Sequence, residues 1–162
     1  MSTIALGVDV GIVGAIAVIS VEELGLLEIH DMPVLNDGPA RRKAVNAPLL
    51  AGIVRASGAS RAFCELVAAR PGEGAVGAFA FGRSRVIEGV LAAHGLPIQF
   101  LTPSTWKKET GIPPGPDGKD LARSEAIRRW PDKSGLFARV KDDGRAEAAL
   151  IAIAGLLREK RP

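Results

Sequence analysis

Apolar residues come in short dense runs broken by turn residues. TIALGVD at 3–9 reads as a buried strand, AIAVIS at 15–20 as a second and LGLLEIHDM at 24–32 as a third. Asp9-Val10-Gly11 opens one tight turn and Glu22-Glu23 sits near the next, so the three strands form an antiparallel meander. PVLNDGPARRK is a polar loop punctuated by Pro and Gly. APLLAGIVRAS at 47–57 has helical spacing before Gly58. RAFCELV at 61–67 reads as a fourth strand ending near Glu65, and ARPGEG at 69–74 is a loop. Residues 75–94 predict one long helix closed by Gly95, and PIQFLT at 97–102 a fifth strand.

Pro103-Ser104-Thr105-Trp106 starts a short helix that Gly111 ends, and IPPGPDG is a rigid turn. LARSEAIRRW at 121–130 is helical up to Pro131, 132–142 is a polar loop, and 143–158 is the last helix. No repeat or low-complexity segment interrupts this order. The pattern predicts one α/β domain over 1–162, with a mixed sheet flanked by helices. The first and fourth strands should be neighbours at its centre, with the last helix packed beside the first strand.

At 162 residues and 47% hydrophobic content, the chain can bury one real core. A single cysteine, Cys64, excludes a disulfide framework and a Cys-rich zinc site. With only His30 and His94 besides, a bound metal would be held by oxygen, which favours Mg²⁺ or Mn²⁺. Residues 1–8 carry no Lys or Arg, so no signal peptide is expected. The apolar run 4–19 contains Asp9 and is too short and too polar to span a bilayer. These features predict a cytoplasmic protein with no membrane partner.

Charge is unevenly distributed. Residues 1–40 hold six acids and no Lys or Arg, while residues 41–162 hold 21 bases against 12 acids. The surplus of nine in the later part suits a polyanionic partner, although an Arg-rich solvated surface gives the same count.

Four acids fall at strand ends or at a helix start: Asp9, Glu65, Asp143 and Glu147. Asp143 and Glu147 are spaced i,i+4 and project from one helix face. Singly, each has an ordinary role: Asp9 as a turn cap, Glu65 as a surface acid, Asp143 as a helix N-cap and Glu147 as a first-turn acid. The expected topology would bring all four together. At about 5 Å and an effective dielectric of about 20, each like-charge pair costs about 3 kcal/mol. Two divalent ions about 4 Å apart would neutralise the cluster and clamp the attacking and leaving oxygens of a phosphodiester. Asp142 is the weaker neighbour, because its side chain leaves the helix about 100° away from that of Asp143.

LGVDVGIVGAIAVI, FCELVAARPGEG with AFAFGRSRVIEGVLAAHGLP, TPSTWKK and DDGRAEAALIA, in that order, resemble the RuvC-type Holliday junction resolvases. The similarity is greatest to the branch found in phages, gene-transfer elements and chloroplasts, and it covers residues 3–157. It implies an RNase H-like nuclease with a five-stranded mixed sheet, three antiparallel strands and then parallel ones. The implied activity is that of a crossover junction endodeoxyribonuclease. It would hydrolyse DNA with two Mg²⁺ (or Mn²⁺) ions per site, leaving a 5′-phosphate and a 3′-hydroxyl. The family's metal-binding acids fall on Asp9, Glu65, Asp143 and Glu147. Bacterial members usually space the last pair by three residues, which here would select Gly144; the phage and chloroplast branch uses four.

Its strand-contacting lysines fall on Lys107, with Lys108 beside it, and on Lys119. Phosphates elsewhere would meet Arg70, Arg83, Arg85, Lys108, Arg139, Lys141 and Arg145. The implied partners are a four-way DNA junction and a second copy of the chain, with no nucleotide cofactor, in a bacterial, phage or gene-transfer-element setting. The helix at 75–94 is the candidate dimer surface. Many bacterial relatives carry a base-wedging aromatic three residues after the fourth-strand Glu. Here that position is Ala68, and Phe79 and Phe81, either of which could replace the wedge, read as core residues of an apolar helix face.

Three rival readings remain from sequence. An ATP-using phosphotransferase of the actin class shares the Asp-x-Gly hairpin but needs a second similar domain, for which this chain is too short. A non-catalytic binder of branched DNA would have no need of the acids. Another nuclease of the same fold, acting on flaps or RNA–DNA hybrids, stays open.

Overall fold

The computed structural model describes residues 2–39, 42–68 and 71–161. Three apolar runs fold into β1 (Ile4–Asp9), β2 (Ala15–Ser20) and β3 (Leu26–Asp31), and the turn-rich segment after them carries β4 (Val34–Asn36) and β5 (Lys43–Val45). Next come α1 (Ala47–Ser57), β6 (Arg61–Glu65), α2 (Ala75–Ser84), α3 (Val86–Ala93) and β7 (Ile98–Leu101). The chain closes with α4 (Pro103–Glu109), α5 (Gly118–Arg129) and α6 (Asp143–Glu159). The main sheet has the order β3-β2-β1-β6-β7. β1 pairs antiparallel with β2 and parallel with β6, which pairs parallel with β7.

Strand alternation divides the core in two. Leu6, Val8, Ala62 and Cys64 face α1 and α3, packing with Leu50, Val54, Ile87 and Leu91. Ala5 and Phe63 face the opposite side, where α6 lies with Trp106 and Phe137. By the same parity Asp9 and Glu65 leave the strand ends toward α6. The face of α6 turned to the sheet is built of small residues. A Cβ on Gly7 would lie 2.0 Å from the Ala148 carbonyl oxygen, and one on Gly155 would lie 2.1 Å from the Phe63 ring. These close approaches at glycine lay α6 across β1 and β6, with its first turn beside the C-terminal end of β1.

The structure alters several sequence expectations. The polar loop after β3 contains the β4–β5 hairpin, an isolated two-stranded sheet. The long helix 75–94 is two helices. At their junction the Arg85 amide donates to the Gly82 carbonyl in a tighter i→i−3 bond, and the Ser84 hydroxyl donates to the Phe81 carbonyl. α3 buries Ile87 and Leu91, whereas no residue of α2 is fully buried. Phe79 is therefore not a core residue: it is 58% exposed. α5 starts at Gly118, a turn earlier than the pattern indicates. The segment read as a polar loop at 132–142 is two 3₁₀ turns, Pro131–Phe137 and Val140–Asp142, which bury Phe137 and Asp142.

Candidate metal-binding and nuclease site

Parallel pairing aligns the C-terminal ends of β1, β6 and β7 along one edge, with Glu65 opposite Leu101 in register. Asp9 ends β1, Glu65 ends β6, and the N-terminal end of α6 supplies Asp143 and, one turn on, Glu147. A Cβ at Gly144 would lie 3.1 Å from the Asp9 Oδ2. The residue between the two helix acids is thus small enough for the Asp9 carboxylate to sit against α6.

The electrostatics record this convergence. Burial pushes the Asp9 carboxyl well above the usual carboxylate range, and the Glu147, Glu65 and Asp143 carboxylates add to the effect against a weaker pull from Lys119. Glu147 is pushed up to about 7 by burial and then by Glu65 and Asp143, with Lys107 and Lys119 pulling the other way. Among the described residues no donor hydrogen-bonds to either carboxylate. The other two acids are held by the protein. The Trp106 Nε1–H donates to the Glu65 Oε1 at 3.0 Å, and the Lys119 Nζ lies 2.6 Å from the Asp143 Oδ2.

This donor set fits a hard divalent cation. It is all carboxylate oxygen, its charges repel, and its two most buried members lack a counter-charge in contact. As they stand, no three His, Cys, Asp or Glu side chains among the described residues already form a cage for an ion. Glu65 spends one oxygen on Trp106 and Asp143 is turned to Lys119, so closing round a cation requires the Asp143 side chain to rotate.

Lys107 is half-buried, with its Nζ 5.4 Å from the centre of the Trp106 ring, and its charge reaches Glu147; Lys108 is exposed. Lys119 reaches the cluster from α5 through Asp143, which raises the pKa of its ammonium. Four of the arginines named from sequence are matched by the chain's own acids. Arg83 pairs with Asp37, Arg85 with Glu88 at 2.8 Å, and Arg139 with the buried Asp142 at 2.8 Å. Arg145 grips Asp31 through two bonds of 2.6 and 2.7 Å, which ties α6 to β3. Asp142 is thus a brace for Arg139, outside the cluster. Lys141 and Lys108 are exposed and form no ion pair among the described residues. Arg70 lies outside the described residues.

Trp106 is the site residue that the sequence reading left unused. Its signal was the Trp inside Pro-x-x-Trp-Lys, one helical turn beyond the end of β7. Beside Glu65, a cleft lined by Val10, Leu66, Phe81, Ser84 and Phe100 opens toward α2.

The fold is RNase H-like. It is similar to RuvC of Thermus thermophilus solved in complex with a Holliday junction substrate, with a TM-score of 0.66 and 13% identity over 97% of this chain and 96% of that one. A second Thermus thermophilus RuvC structure matches with a TM-score of 0.59 and 15% identity over 97% of each chain. No family model and no curated protein sequence matches the chain.

Proposed function

We propose that this protein is a structure-specific DNA endonuclease that resolves four-way junctions by paired, divalent-metal-dependent nicks. The observation that carries the reading is the meeting of Asp9, Glu65, Asp143 and Glu147 at one sheet edge, with Lys107 and Lys119 beside them. The i,i+4 spacing of the last pair is what favours the phage and chloroplast type of resolvase. The shared fold with a RuvC solved on a Holliday junction supports the choice of substrate.

In this reading Asp9, Glu65, Asp143 and Glu147 hold Mg²⁺ or Mn²⁺. The bound cations supply Lewis-acid activation of water and neutralise the scissile phosphate. Lys107 and Lys119 orient that phosphate and offset the charge that builds on it during bond breaking. Lys108, Lys141 and Arg70 meet phosphates farther along the arms, joined by Arg83, Arg85, Arg139 and Arg145 where DNA competes with their internal partners. Such contacts read geometry more than sequence and weaken steeply with salt.

Two matched nicks need two sites related by a two-fold axis, which a homodimer supplies. The uncovered apolar side of α2, where Val76 is 85% and Phe79 58% exposed, is the surface that suits it.

The test is a cleavage gel with Mg²⁺ or Mn²⁺ against four-way, flap, duplex and RNA–DNA hybrid substrates. Symmetric nicks in the four-way junction, lost in Asp9→Asn while junction binding persists, are the expected result. Preferential cutting of flaps or hybrids would move the protein to another nuclease of this fold. Junction binding without any cutting would make it a non-catalytic binder.

A further inference from the structure

We infer that Trp106 is a positioning residue, which fixes the direction of the Glu65 carboxylate and the seat of Lys107 together; the inference rests on the nuclease reading above. α4 begins directly after β7, where the Thr102 hydroxyl accepts from the Thr105 amide and caps the helix. One turn later Trp106 drops into the core beneath α6 and is fully buried. A buried indole N–H must find an acceptor. Trp130, in the same core, uses the Leu24 carbonyl at 3.2 Å. Trp106 instead donates to the Glu65 Oε1 at 3.0 Å.

That bond takes one carboxylate oxygen and leaves Oε2 for an ion. It also restricts a Glu side chain that would otherwise sample several rotamers at a strand end. The ring face of the same indole carries the Lys107 ammonium. Gly118 leaves room for it, since a Cβ there would lie 3.2 Å from the Lys107 Nζ. One rigid, buried ring thus sets both a metal-facing acid and a phosphate-facing base.

The chain has two tryptophans, so its ¹H–¹⁵N spectrum has two indole N–H signals, told apart with W130F. Mg²⁺ is expected to move the Trp106 signal and leave that of Trp130 in place, and E65Q should abolish the movement. W106F keeps an aromatic ring in the core and loses the donor; it should weaken Mg²⁺ binding about tenfold by calorimetry. Should W106F not fold, the titration of the native chain decides alone. A Trp106 signal unmoved by Mg²⁺ at concentrations that support cleavage would overturn the positioning role and leave the nuclease reading intact. A signal that moves with Mg²⁺ in a protein that cuts no nucleic acid would sustain the positioning role and remove the nuclease reading.

Discussion

The Lys119 ammonium lies 2.6 Å from the Asp143 carboxylate, although the two come from different helices and Lys119 is otherwise exposed. The pair places a cation against the acidic cluster without burying it. Exposed pairs add little stability, so Lys119→Met should leave the thermal midpoint nearly unchanged. It should lower the single-turnover cleavage rate about 10²-fold, the scale of losing one charge that stabilises a transition state. A wild-type rate in Lys119→Met would remove the lysine from the chemistry.

Glu147 titrates at about 7 in the folded chain, against an ordinary value of 4.5, and Asp9 shifts in the same direction. The folded state therefore binds these protons more tightly than the unfolded state does. The stabilisation from protonating Glu147 is complete below about pH 4.5 and is lost as pH rises through about 7. In chelator, unfolding free energy from urea titration should fall between pH 5 and pH 8, by up to about 3 kcal/mol from Glu147. Glu147→Gln should flatten much of that slope. Adding Mg²⁺ at pH 8 should raise stability, because a ligand of the native state favours it by mass action. A chelator curve that climbs over this range would contradict the assigned burial and repulsion.

Gly7→Ala tests the seating of α6. Its new methyl would meet the Ala148 carbonyl oxygen at 2.0 Å and the Ala152 Cβ at 2.7 Å, both atoms of the packed helix α6. Neither neighbour is a flexible side-chain end, so the substitution should cost at least about 3 kcal/mol. Chemical denaturation reads this directly, and a loss under about 1 kcal/mol would mean that α6 can shift away from β1.

Phe79→Glu tests the pairing surface. It places a charge on the exposed apolar side of α2, beside Val76. Light scattering should show a dimer for the native protein and a monomer for Phe79→Glu, with the fold unchanged by circular dichroism. Junction cleavage should then yield single uncoordinated nicks. A native chain that is monomeric at micromolar concentration would rule this surface out.

The order of strands and helices was legible because burial writes itself into period: continuous apolar runs for central strands and wider spacing for helices. Asp9 stood out because a carboxylate inside such a run needs a reason. The β4–β5 hairpin was invisible, since three-residue strands are too short to show alternation. The break at Arg85 was hidden for a related reason. Both halves of 75–94 are apolar, and only packing distinguishes α3, which buries Ile87 and Leu91, from α2, which has no fully buried residue.

The sequence by itself determined the order of the main strands and marked four acids as candidates, because periodicity and chemical type are local properties. Tertiary structure alone decided the rest. It turned Glu65 toward Trp106 and Asp143 toward Lys119, and it matched Arg145 to Asp31 across 114 positions of chain. Partners so far apart in sequence meet only after the sheet has aligned its strand ends and the small face of α6 has closed on β1. Spacing along the chain carries no record of which charge ends beside which.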